Sequence, residues 1–159
     1  MTPLPPIPLP ESFALATAVH EFARSFRRAF DRRARAMGYT QAQWRALFAL
    51  SKAEGSSQAA LADKLEMQPI ALARILERME AAGLVERQPD PSDRRAVKLT
   101  LTADAGPIIK VLHAIADELL GRAREGVPTG REAEMAQLLQ TMRGNLERAE
   151  INTTTNQAG

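Results

Sequence analysis

Cysteine is absent from this chain of 159 residues. Disulfides, thiolate zinc sites and cysteine-based redox sensing are therefore excluded as its functions. No apolar run approaches the length of a membrane span. The start "MTPLPPIPLPES" lacks a basic n-region and an apolar h-region, so it does not read as a signal peptide, and a cytoplasmic location is expected. There is no G-x-S-x-G, no P-loop and no H-E-x-x-H, and the glycines mostly read as helix stops, so an enzyme is not expected. The two histidines, His20 and His113, are far apart in sequence, which speaks against a metal site. No cofactor is implied and no internal repeat is visible. A strong excess of one charge is lacking too: the formal net charge is +2. Arg nevertheless greatly outnumbers Lys, the residue choice for fork-shaped recognition of phosphate or carboxylate.

Hydrophobic residues make up 45% of the chain, enough for one domain or two tightly joined layers with a real core. Five prolines in the first ten residues favour an extended arm over residues 1–10. The spacing then predicts a helix over roughly 11–37, with Val19, Phe22, Phe26 and Phe30 on one face and a stop at Gly38. Thr40 and Gln43 form a capping-box pattern for a second helix through about Lys52, burying Trp44, Leu47 and Phe48, and Gly55 closes it. Ser57 suits the N-cap of a short helix over 58–65, and Pro69 a first helical position. The helix it opens runs to Ala82, with Ile70, Leu72, Ile75, Leu76 and Met79 as one packed stripe and Gly83 as its stop. Two strands, "LVERQ" and "RAVKLTL", follow, split by a Pro-Asp-Pro-Ser turn.

Two long helices are expected near 103–124 and 130–149, the second opened by a Thr129 to Glu132 capping box. Their stripes are Ile108, Leu112, Ile115, Leu119 and Met135, Leu138, Leu139, Met142, Leu146. The tail over 150–159 reads as disordered, having nothing to bury.

Helix, short turn, helix, two-stranded hairpin is the order of a winged helix-turn-helix, over residues 39–102. In such a module the second helix of the pair enters the major groove and arginine at the hairpin tip reaches a minor groove. As an isolated segment "PSDRR" reads as a solvated turn; the helix pair before it reverses that reading. Residues 60–100 carry as many acidic as basic side chains, so binding would depend on where each Arg stands rather than on a bulk basic patch.

The segment "SQAALADKLEMQPIALARILERMEAAGLVERQPDPSDRRAVKLTLT", residues 57–102, resembles the MarR family of bacterial transcription regulators, in its SlyA-like branch. More loosely the resemblance extends over 11–148. It implies a mainly α fold, a winged helix-turn-helix with flanking dimerisation helices over 11–38 and 103–149, and an obligate homodimer. It also implies sequence-specific binding of double-stranded DNA at a pseudo-palindromic operator, as a ligand-responsive repressor. The wing signature D-x-R falls on Asp93, Arg94 and Arg95: Arg95 is expected in the minor groove, Asp93 bracing it, and Arg94 on a phosphate. Alternating residues share one face of a strand, which agrees with the brace. In the recognition helix the match falls on Gln68, Pro69, Ile70, Ala71 and Arg74, and Ser57 and Gln58 complete the DNA-facing set. Relatives often carry Ser or Thr where this chain has Ala71, so a hydroxyl contact is missing there, although Ala can still touch a thymine methyl. For Arg74 the competing assignment is an exposed helix salt bridge with Glu77 or with the neighbours of Arg78.

"RSFRRAFDRRAR", residues 24–35, carries six arginines against one aspartate. It reads as a solvated helix face. The resemblance assigns it instead to a pocket for a small anionic aromatic effector, with Arg24, Arg27 and Trp44 as binding residues. Trp44 also reads as plain core. A rival from another class is a winged-helix module for protein-protein contacts alone, which steep salt dependence and preference for one duplex would separate from a DNA reader.

Overall fold

A computed structural model describes residues 10–89 and 97–157. Its order is α1 (Glu11–Ala36), α2 (Gln41–Lys52), β1 (Ser56–Ser57), α3 (Gln58–Leu65), α4 (Pro69–Ala81), β2 (Val85–Pro89), β3 (Val97–Leu101), α5 (Ala105–Ala123) and α6 (Arg131–Gln157). The fold is mainly α with one small antiparallel sheet, as expected. Two compact units divide the chain, Met1–Gly121 and Arg122–Gly159.

In the first unit, local signals place the helix ends. The Thr40 to Gln43 capping box forms in full: the Gln43 backbone N–H donates to Thr40 Oγ1 at 3.4 Å and the Thr40 N–H to Gln43 Oε1 at 2.9 Å. Ser57 Oγ accepts from the Ala60 N–H at 3.1 Å, and Pro69 stands at the start of α4. Gly83, at φ 70°, reverses the chain after α4 so that Leu84 and Val85 turn back into the core.

That core is formed by Phe30 and Ala34 of α1, Trp44, Leu47 and Leu50 of α2, and Leu61 and Leu65 of α3. Leu72, Leu76 and Met79 of α4, Leu84, Val85 of β2, Leu99 of β3, and Leu112 and Ile115 of α5 also belong to it. Among the described residues no polar or charged side chain is buried in it. An aromatic column runs along α1 into α2, with ring centroids 6.4 Å apart for Phe22 and Phe26, 6.1 Å for Phe26 and Phe30, and 4.6 Å for Phe30 and Trp44. The Arg33 guanidinium forks onto Glu118 of α5 at 3.2 and 2.7 Å. That hydrogen bond, with the attraction of the carboxylate, holds Arg33 above the ordinary arginine range.

The sheet has the order β1-β3-β2. Val85 pairs with Leu101, Arg87 with Leu99 and Pro89 with Val97, while Ser56 and Ser57 pair with Leu99 and Lys98. Val85 and Leu99 are buried, whereas Glu86 to Pro89 are exposed, so β2 is packed only at its first residue.

Several expectations are corrected. β1 gave no sequence signal, because two serines pair only where β3 passes beside them. Ile70 does not belong to the packed stripe of α4: it is 73% exposed, and the stripe starts at Leu72. The first strand is shifted by one residue, to Val85–Pro89, and α5 is trimmed to Ala105–Ala123; the second strand is described over Val97–Leu101, its expected first two residues lying outside the described residues. The Thr129 to Glu132 capping box is not the opening of α6, which starts at Arg131 after Gly130 at φ 85°, a conformation outside the helical region. Residues 150–157, expected as a disordered tail, continue α6. Once a helix is nucleated each further residue adds a hydrogen bond, and no Pro or Gly stands between 145 and 157 to stop it. Of the extended arm expected over 1–10, residues 1–9 lie outside the described residues, and Pro10 is extended at φ −55° and ψ 148°.

Candidate functional site

α3 and α4 form a helix pair joined by a tight turn. Glu66 takes the left-handed conformation at φ 53° as the C-cap of α3, and the Met67 N–H donates back to the Ala62 carbonyl at 2.9 Å. From α2, Arg45 Nη2 donates to the Leu65 carbonyl at 2.9 Å, placing a cation on the last carbonyls of α3. Gln68 is the extended N-cap of α4, and its side chain makes no capping bond. The backbone N–H groups at Ile70 and Ala71 therefore open the helix without a side-chain partner.

α4 buries one side and presents the other. Leu72, Leu76 and Met79 point into the core, while Gln68, Pro69, Ile70, Ala71 and Arg74 are all exposed. Burying each of the three apolar side chains contributes about 1.5–3 kcal/mol, so the exposed side is held in place by its opposite face. Among the described residues Arg74 forms no ion pair, so the competing salt bridge with Glu77 is absent.

Ser57 belongs to β1 and also caps α3. Its exposed Oγ accepts from Ala60 and keeps its own O–H to donate. Gln58 begins α3 with its carboxamide oxygen accepting from Arg87 Nη1 of β2 at 3.1 Å. Arg87 Nε also reaches both oxygens of Glu80, in the last turn of α4, at 2.9 and 3.1 Å. Sequence reading singled out none of Arg45, Glu80 or Arg87. Their partners come from other elements, so no periodicity within one element marks them. Asp93, Arg94 and Arg95 lie outside the described residues.

Arg24, Arg27 and Trp44 are placed differently. Trp44 sits between Phe30 and Phe48, with centroids 4.6 and 5.9 Å away, and its Nε1–H donates to Asp31 Oδ1 at 3.1 Å. Arg24 and Arg27 are exposed on α1, about two turns and one turn before Phe30. Of the six arginines in the run, Arg33 pairs with Glu118 and Arg35 with Asp31 at 3.3 Å. An open hollow of about 460 Å³ is lined by Arg35, Gly38, Tyr39 and Thr40 and includes none of Arg24, Arg27 or Trp44. No group of three or more His, Asp or Glu gathers into a metal-binding cluster among the described residues. No helix there is long and apolar enough to cross a membrane.

A helix pair whose second member is bare on its outer face, followed by two antiparallel strands, defines a winged helix-turn-helix protein. The MarR family model matches residues 37–96. Transcriptional regulator PA3341 is similar in structure, with 31% identity over 84% of this chain and 98% of that one and a TM-score of 0.74. A MarR transcriptional regulator from Methanosarcina mazei Go1 is 22% identical over 85% and 97%, with a TM-score of 0.73. A mutant MarR from E. coli, complexed with operator DNA, is 25% identical over 83% and 95%, with a TM-score of 0.66. The chain belongs to the MarR family of transcription regulators.

Proposed function

We propose that this chain is a sequence-specific double-stranded DNA-binding regulator of the SlyA-like branch, a cytoplasmic repressor acting as a homodimer on a pseudo-palindromic operator. The observation that carries the reading is the outer face of α4, where Gln68, Pro69, Ile70, Ala71 and Arg74 stand exposed over a fully packed opposite side. A relative complexed with operator DNA supports it. In this reading the start of α4 enters the major groove. Arg74 contacts a base or phosphate, and Ile70 and Ala71 offer apolar contact to thymine methyls. Ser57 and Gln58 donate to the phosphate backbone. Arg95 enters the minor groove, Asp93 braces it and Arg94 takes a phosphate.

A second copy of the chain would cover the apolar side chains left bare on α1, among them Phe13 and Phe22, and on α6, among them Met135, Leu138, Met142 and Leu146. Two copies would then place their α4 helices about 34–36 Å apart, in successive major grooves. A salicylate-like aromatic acid would release the DNA by binding beside Arg24 and Arg27, exposed cations on the helix that carries the aromatic column, with Trp44 as part of the aromatic wall. Such a ligand must prefer the non-binding arrangement of the dimer, since equal affinity for both arrangements shifts nothing.

Selection from a random duplex pool, with sequencing of the bound fraction, tests the central claim. A palindromic site should emerge whose affinity falls steeply with salt; no enrichment over random duplex would leave the protein-protein module as the better reading. Titrating the complex with salicylate, for the parent and for an Arg24→Ala, Arg27→Ala double variant, tests the switch. Release from the parent alone is expected, and equal responses would return the arginines to a solvated face.

A further inference from the structure

We infer that Arg87 is a positioning residue that ties the wing to the helix-turn-helix and turns the Gln58 amide N–H outward as a donor to the nucleic-acid backbone. One guanidinium joins three elements: β2, which carries it, the last turn of α4 through Glu80, and the first residue of α3 through Gln58. The hairpin needs such a tie. Its first strand, β2, is packed only at Val85, and Glu86 to Pro89 are exposed, so apolar burial fixes the root of β2 and little beyond it. An exposed ion pair alone contributes little, but one guanidinium held by a carboxylate and a carboxamide has a defined direction.

The bond to Gln58 also settles an orientation. Arginine has only donors, so the carboxamide oxygen must face it, and the amide nitrogen with its two hydrogens must face away. Gln58 lies beside Ser57, whose hydroxyl keeps a hydrogen to donate, so two neighbouring donors open the helix pair. Acceptors of the phosphodiester class match them, and cationic or purely donor partners do not. Glu80 has a further role in this arrangement: it occupies the Arg87 charge internally, so that Arg87 acts through Gln58 and β2 and not as a phosphate contact of its own.

This inference rests on the DNA-binding reading for its Gln58 half and on the fold alone for the tie, so the test has two arms. Without DNA, amide hydrogen exchange compares the parent with Arg87→Ala. Faster exchange over residues 84–89, with α2 unchanged, is expected, and identical exchange overturns the tie.

With a duplex selected from a random pool, Arg87→Ala should bind about tenfold more weakly, the scale of one hydrogen bond to a charged group. Glu80→Gln should weaken binding in the same direction, and the Arg87→Ala, Glu80→Gln double variant should be no weaker than Arg87→Ala alone. Arg87→Ala and Gln58→Ala should likewise be non-additive, and the salt slope should stay at the parent's value. A slope reduced by about one in Arg87→Ala, with tighter binding by Glu80→Gln, would mean that Arg87 contacts phosphate directly, and the inference would fall. Arg87→Lys keeps the charge near Glu80 without the fork. It should hold exchange near the parent's rate while binding between parent and Arg87→Ala, and it serves if the alanine variant does not fold. A parent that binds no duplex overturns the proposed function and the Gln58 half together, while exchange still decides the tie.

Discussion

α4 and α6 carry the same kind of apolar stripe and meet opposite fates. In α4, Leu72, Leu76 and Met79 are at 0% exposure; in α6, Met135, Leu138, Met142 and Leu146 follow the same helical spacing, yet Leu138 is 58% and Leu146 68% exposed. The period of a stripe says that a face is built for burial. It does not say whether the cover comes from the same chain or from another copy. α4 is covered because the chain turns at Gly83 and packs β2 and α2 beside it, whereas Met135, Leu138, Met142 and Leu146 of α6 stay exposed.

The sharpest way to break this comparison is to charge the bare stripe. Leu138→Glu with Leu146→Glu should lower dimer stability by about 3–6 kcal/mol, the burial lost from two leucines. Light scattering at micromolar concentration should then report a monomer. A parent already monomeric, or a double variant still dimeric, would show that a second copy does not cover α6.

The matching change in the packed stripe is Leu76→Ala, which should destabilise the fold by about 2–5 kcal/mol in urea unfolding through transfer and cavity effects. Leu146→Ala in the dilute monomer should stay within about 0.5 kcal/mol of the parent. If the two leucines cost the same, the difference between the stripes is not one of cover.

The outer face and the wing come next. Arg95→Ala should weaken operator binding by about 1–3 kcal/mol with no change in melting temperature, because in the proposed reading it removes a minor-groove contact and no part of the core. Asp93→Ala should weaken it less. Equal binding by both variants, at low and at physiological salt, would remove the wing from the interface.

The smallest expected effect is at the cap of α3. Ser57→Ala removes the acceptor of the Ala60 N–H and should cost about 1 kcal/mol of stability in chemical denaturation. Because Ser57 of β1 also pairs with Lys98 of β3, a variant as stable as the parent would mean that the strand pairing alone holds the start of the helix.

Helix starts proved the most legible features. Thr40, Ser57 and Pro69 act on backbone groups within a few residues of themselves, so their local chemistry is written in neighbouring letters. Ile70 misled for the complementary reason. It obeys the apolar period of α4, but among the described residues no element stands over that end of the helix. Trp44 was legible as an aromatic on a buried face, while its hydrogen bond to Asp31, on another helix, was not. The arginine run shows the same division: its charge was plain and Arg35 meets Asp31 four residues earlier on the same helix, but the pairing of Arg33 with Glu118 depends on where α5 brings its carboxylate.

By itself the sequence determined what depends on short range: the order of the helices and hairpin, the caps, the apolar faces, and the resemblance carried by residues 57–102. Tertiary structure alone decided what depends on approach between distant segments. It pairs Ser56 and Ser57 with β3, sends Arg45 to the end of α3, and joins Arg87 to Glu80 and Gln58. The physical reason is the range of the forces involved. A cap or an apolar period is satisfied within one or two turns, but a side-chain hydrogen bond reaches only about 3 Å, so its partner is known only once packing has brought two elements together.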